Sequence, residues 1–160
     1  VGMSVHGPMP ADVNREGGGE AALRALSWLV DRDAAALEPN WRPDQPAYAF
    51  NLKVLSCLLG TPAEPNFDGA VLMIEDIDEH HYRIDREMFH VMSSGNVRRC
   101  AGLRIGRFSK IPPNDPPFEK TEREIVEYWC ARADIPYLGR ADIGHDADNK
   151  VVPFGARVLA

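Results

Sequence analysis

Along this chain, short continuous apolar runs alternate with stretches in which apolar residues return every three or four positions, the periods of strand and helix. Val71-Leu72-Met73-Ile74 is a run of the kind shown by a strand covered on both faces. Residues 103–108 read as a second strand, Ile135-Pro136-Tyr137-Leu138 begins a third region, and a short segment ends at Ile143-Gly144-His145. Residues 1–5 suggest a short strand broken by Gly7-Pro8 and Pro10, and residues 151–159 a closing strand or hairpin.

Helical spacing appears four times. Leu23, Leu26 and Val30, widened by Trp28 and Leu29, form one apolar stripe behind Gly17-Gly18-Gly19. Residues 50–59 predict a buried helix, closed by Gly60 in a left-handed cap with Pro62 after it. Residues 83–93 place Ile84, Met88 and Met92 on one face and end at Ser94-Gly95-Asn96. Thr121-Glu122-Arg123-Glu124 is a capping box ahead of a helix that buries Ile125, Val126, Trp129 and Cys130. The prolines between Glu38 and Pro46 exclude regular structure there and suggest a boundary, dividing the chain into 1–46 and 47–160. Strands alternating with helices predict an α/β domain.

Composition narrows the function classes. The 160 residues carry 18 Lys and Arg against 24 Asp and Glu, a net charge of −6, which argues against a nucleic-acid surface. No apolar run approaches the ~20 residues of a membrane span. The amino terminus lacks the basic and apolar regions of a signal peptide, so a cytoplasmic setting is expected. Cys57, Cys100 and Cys130 are odd in number and widely spaced, neither a disulfide framework nor a zinc pattern. Cys57 and Cys130, on apolar helix faces, are expected to be buried. His80, His81 and His90 lack metal-ligand spacing, so no metal or other cofactor is expected.

Two residues stand where chemistry gathers. Glu75 follows the apolar run, at the carboxyl edge where α/β folds deliver side chains into a crevice, although such an acid also serves as a turn cap. His145, after Gly144 in a polar loop, either reaches into a cleft or stays at the surface, held by Asp142, Asp146 or Asp148. Together, Glu and His suggest the orienting and base members of a triad. The nucleophile is missing: none of Ser4, Ser27, Ser56, Ser93, Ser94 and Ser109 lies in a strand-to-helix elbow.

The residues around this pair carry a likeness. Val71 to Glu79, followed by Tyr82-Arg83-Ile84-Asp85-Arg86, closely resembles the signature of the LD-carboxypeptidases, serine peptidases that include the microcin C immunity enzymes. His6-Gly7-Pro8, Asn51-Leu52, Leu58 to Pro62, Gly106-Arg107-Phe108, Gly144-His145 and Pro153 to Ala156 follow in the family's order, so the likeness spans nearly the whole chain.

The resemblance implies a carboxyl-terminal domain of the swivelling β/β/α type. It would be preceded by a remnant strand and linker of an amino-terminal domain that carries the serine. It also implies that Glu75 and His145 are catalytic, that Asn51 touches substrate, and that no cofactor is needed. The reaction implied is removal of the terminal D-alanine from murein tetrapeptide in peptidoglycan recycling, with homodimers common. A microcin-directed peptidase or a non-catalytic domain binding murein peptides or a partner chain are the alternatives. Two departures mark the chain: Ala49-Phe50 where relatives carry Gly-Gly, and Asp146 after the histidine, where a carboxylate would raise the imidazole's pKa.

Overall fold

A computed structural model describes residues 4–14 and 17–155. Its centre is a parallel sheet in the order β2 (Ala47–Asn51), β3 (Val71–Ile77), β4 (Gly102–Ser109), β5 (Tyr137–Arg140). Parallel neighbours need crossovers, and these are α2 (Leu52–Leu58), α3 (His81–Ser93) and α4 (Glu122–Ala133). Alternation along the strands decides what each face meets. Phe50, Leu72, Ile74, Leu103 and Ile105 point one way and pack with Leu55, Ile84, Met88, Val91, Ile125 and Cys130 from the three helices. Ala47, Ala49, Val71 and Met73 point the other way, against Ala141, Ile143, Val152, Trp41 and Phe154. That second face is covered by the ends of the chain: β1 (Val5–His6) and β6 (Val152–Pro153) form an antiparallel pair over it. The layering is therefore β/β/α, as expected.

Local signals explain most boundaries. Thr121 and Glu124 form the reciprocal capping box that starts α4, and Gly60 takes the left-handed conformation after α2. Ile84, Met88 and Met92 are buried. The segment 38–46 has no helix or strand, yet it is anchored: buried Glu38 accepts hydrogen bonds from Asn40 N (2.8 Å) and Asp142 N (3.2 Å).

Four expectations are corrected. The helix predicted from Phe50 begins at Leu52, because residues 47–51 are a strand whose last residue, Asn51, caps the helix by accepting from Val54 N. A five-residue strand buried on both faces merges with the apolar helix after it, so periodicity does not separate them. Cys57 is exposed. It lies two residues, about 200°, around α2 from buried Leu55, on the face turned from the sheet.

The stripe on α1 (Gly18–Asp31) faces outward: Leu23, Leu26, Leu29 and Val30 are 68%, 52%, 43% and 74% exposed. The helix packs through Ala21, Ala25 and Trp28 instead, with Trp28 against Ala36, Val151 and the edge of Trp41. The closing strand is shorter than expected, and its residues 156–159 lie outside the described residues, as do residues 1–3 of the opening one.

Candidate active site

The pair singled out by position is joined in space. Glu75 ends the apolar run of β3, fully buried, and its Oε2 lies 2.5 Å from His145 Nδ1. A carboxylate oxygen only accepts, so Nδ1 carries the proton and the neutral ring keeps its lone pair on Nε2. The histidine side chain is 14% exposed and the glutamate 1%. The Glu75 hydrogen bond raises the His145 pKa above its ordinary value; burial opposes this, and the charges of Glu75, Asp12 and Asp76 add to the rise.

The backbone beneath Glu75 is irregular, and that irregularity makes the contact. Ile74 pairs with Ile105 and Asp76 with Phe108, so Gly106 and Arg107 of β4 both stand opposite Glu75 in a bulge. The bulge brings the 141–143 segment alongside, where Arg107 N donates to Ile143 O at 2.8 Å. A Cβ at Gly106 would fall 2.7 Å from that same oxygen and 3.0 Å from the Glu75 Cβ, so the strand approaches this closely only with glycine.

Arg107 settles the alternative for His145. Its guanidinium ties down Asp142 and Asp146, contacting both Asp146 oxygens, one at 2.8 Å. Asp142 and Asp146 are thus occupied by arginine, and the imidazole's partner is 70 positions away. The raised pKa therefore comes chiefly from Glu75, and Asp146 serves the loop as a strut. Asn149 is a second strut, its Oδ1 accepting from Gly144 N at 3.1 Å. Arg107 lay in a segment of family likeness with no role attached. The glycine before it, interrupting an apolar strand, was the available sign of a bulge.

His145 lines a small cleft with Asp146 and Asn149, closed on its far side by Pro8, Asp12, Gly18 and Ala21. Gly18 is required there, because a Cβ would fall 1.7 Å from the Asp12 carbonyl oxygen. None of the serines lines this cleft. Ser56 instead pairs with His90 Nδ1 at 2.8 Å on the exposed side of α2, and Ser27 bonds to Arg24 O within α1.

Asn51 stands beside Glu75 in the β2–β3 register, but its amide is used internally: Oδ1 caps α2, and Nδ2 donates to Asp76 Oδ1 at 2.6 Å. Asp76 is buried under the helical layer, and burial pushes its carboxyl up to about 6. His80 and His81 face different neighbours, Tyr82 and Phe118, while His90 is with Ser56. Among the described residues no helix is long and apolar enough to cross a membrane.

Residues 48–159 match the model of the LD-carboxypeptidase C-terminal domain. The chain belongs to this family. Along 97% of its length the domain is 35% identical to the putative carboxypeptidase slr1534 of Synechocystis sp., of which it covers 52%. It is 34% identical to the probable murein peptide carboxypeptidase of Bacillus subtilis over 67% of the chain and 34% of that protein. Among solved structures, muramoyltetrapeptide carboxypeptidase from Oxalobacter formigenes superposes with a TM-score of 0.73 at 25% identity, over 96% of this chain and 55% of that one. The LD-carboxypeptidase domain thus spans about half the length of the relatives it matches from end to end.

Proposed function

We propose that this domain supplies the Glu and His of a Ser-Glu-His triad that removes the terminal D-alanine from murein tetrapeptide. The observation that carries the reading is the 2.5 Å contact between Glu75 and His145 Nδ1, with the ring lining a cleft. In the reaction His145 Nε2 takes the serine proton during attack on the scissile carbonyl, then gives it to the departing D-alanine amine. Glu75 holds the tautomer and offsets the imidazolium charge while the proton is on the ring. The remaining amide proton of Asn51 is assigned to substrate. No cofactor enters this chemistry, and a cytoplasmic setting and a homodimer are part of the reading.

The serine is assigned to the amino-terminal half that the matched relatives have in addition. The face carrying Leu23, Leu26 and Val30 is where that half is placed. The opposite side of α1 already packs on this domain, and Gly18 and Ala21 of the same helix line the cleft beside His145.

The test joins this chain in frame to the amino-terminal half of the Synechocystis relative and measures D-alanine release from murein tetrapeptide. The 160 residues alone should release none. The joined protein should do so, and His145→Ala or Glu75→Ala, with an unchanged circular-dichroism spectrum, should lower the rate roughly a thousandfold or more. Release by the 160 residues alone, or an unaffected rate in the His145→Ala protein, would sink the proposal. Binding without release would favour a non-catalytic domain, and cleavage confined to a peptidyl-adenylate would favour the microcin-directed alternative.

A further inference from the structure

The loop that carries His145 has neither helix nor strand of its own, so its shape is set by what grips it. Lys150 N donates to Asp142 O at 3.1 Å and closes its neck. From β4, Arg107 holds Asp142 and Asp146. Asn149, which is buried, spans the loop from within: its N donates to Asp146 O at 3.2 Å, and its Oδ1 accepts from Gly144 N at 3.1 Å. These contacts leave the carbonyl oxygens of Ala147 and Asn149 without a donor from the loop itself.

Both oxygens are taken by one side chain. Arg24 Nη1 donates to Ala147 O at 2.6 Å and to Asn149 O at 2.9 Å, and no other group donates to either among the described residues. Arg24 belongs to α1, at spacings of three and four from buried Ala21 and Trp28, on the side of the helix that packs on this domain. A glycine lets the helix come this close. Gly17, the N-cap of α1 with φ 74°, would place a Cβ 2.5 Å from the Ala147 Cβ, so a side chain there would push helix and loop apart.

We propose that Arg24 is a positioning residue for His145, fixing the far limb of the loop so that the imidazole Nδ1 stays on Glu75. The relay is short. The guanidinium fixes the Asn149 backbone, the Asn149 side chain fixes Gly144 N, and Gly144 leads directly into His145. Arg107 holds the near limb, at Asp142 and Asp146, and the two arginines grip the loop from different elements. Because α1 also carries the face on which the amino-terminal half is placed, one rigid helix sets both that seat and the histidine loop. The role bears on turnover only if the pair is catalytic as proposed above. The geometry is read with no turnover at all, so the two ideas fail separately.

The experiment is proton–nitrogen NMR of the imidazole and guanidinium groups in the 160-residue chain. In the unsubstituted chain His145 should show a far-downfield, slowly exchanging Nδ1 proton, and the Arg24 Nη1 protons should be resolved and protected. Arg24→Met keeps the unbranched stem but removes the donors, and should speed exchange of the His145 Nδ1 proton by about tenfold. Arg24→Lys should bring slow exchange back, because one ammonium can donate to both carbonyls as the single Nη1 does. A residue that merely stabilised the fold would lower the urea midpoint and leave the His145 signal where it was. A methionine variant with the original His145 signal, a lysine variant that exchanges as fast as the methionine one, or an Arg24 guanidinium that rotates and exchanges like a solvated one would each overturn the proposal. If the methionine variant fails to fold, Arg24→Gln, whose amide is too short to reach both carbonyls, is read against the same outcomes.

Discussion

At the residue scale, the site depends on which acids are already engaged. Three aspartates lie within three positions of His145, and electrostatics judged from sequence would pair the imidazole with one of them. Arg107 takes Asp142 and Asp146, and the histidine turns inward to a glutamate on the central strand. Because Glu75 is the first cause of the raised His145 pKa, Glu75→Gln should lower that titration midpoint, read from ring proton shifts. The linkage has a definite sign. A histidine whose pKa is raised by folding contributes stability that is fully present below its unfolded value of about 6.5 and is lost as pH rises through the folded value. Denaturant midpoints of the unsubstituted chain should therefore fall over that window, and the glutamine variant should lack this part of the fall. An unchanged midpoint for His145 would show that the 2.5 Å contact does not persist in solution.

At the scale of elements, α1 and β3 show what hydrophobic patterning leaves open. The β3 run is buried on both faces because helices cover one side and the β1–β6 layer the other. On α1 the residues at helical spacing face outward, while smaller residues and Trp28 make the packing contacts. Leu72→Ala, at a fully buried position, should destabilise the chain by about 2–5 kcal/mol. Leu26→Glu should change stability by no more than about 0.5 kcal/mol and should improve solubility. Urea denaturation of the two variants separates the cases, and a large loss for Leu26→Glu would show that the stripe packs within this chain after all.

At the scale of the whole molecule, burial of an acid on the helical side of β3 makes stability depend on pH beyond the histidine. Asp76 lies beneath the helices with one oxygen held by Asn51 and the Ile77 amide, and burial raises its carboxyl to about 6. A folded-state pKa above the unfolded one means that the folded state holds the proton longer. Stability is therefore lost as pH rises from about 4 to about 6. Asp76→Asn keeps the shape, and its amide oxygen can accept the same two hydrogen bonds. Thermal melts between about pH 4 and 7 should show this variant more stable than the unsubstituted chain at neutral pH, by up to about 3 kcal/mol, with the gap closing on acidification. A constant gap would assign the effect to packing rather than titration.

Much of this was legible in the chain. The apolar run of β3, the capping box of α4, the glycine closing α2 and the α/β alternation are local properties, set by side-chain period and by termini that satisfy their own backbone groups. The motif order pointed to the family and to Glu75 and His145. What periodicity could not supply was any relation between distant residues, since a separation along the chain carries no distance in space. The bulge at Gly106 and Arg107, the capture of Asp142 and Asp146 by arginine, and the closure of β1 on β6 exist only once the strands are assembled. Sequence alone determined that a glutamate would stand at the carboxyl edge of a buried strand. The tertiary structure decided that its partner would be His145, because a glycine at the bulge let the 141–143 segment come close enough to carry the imidazole there.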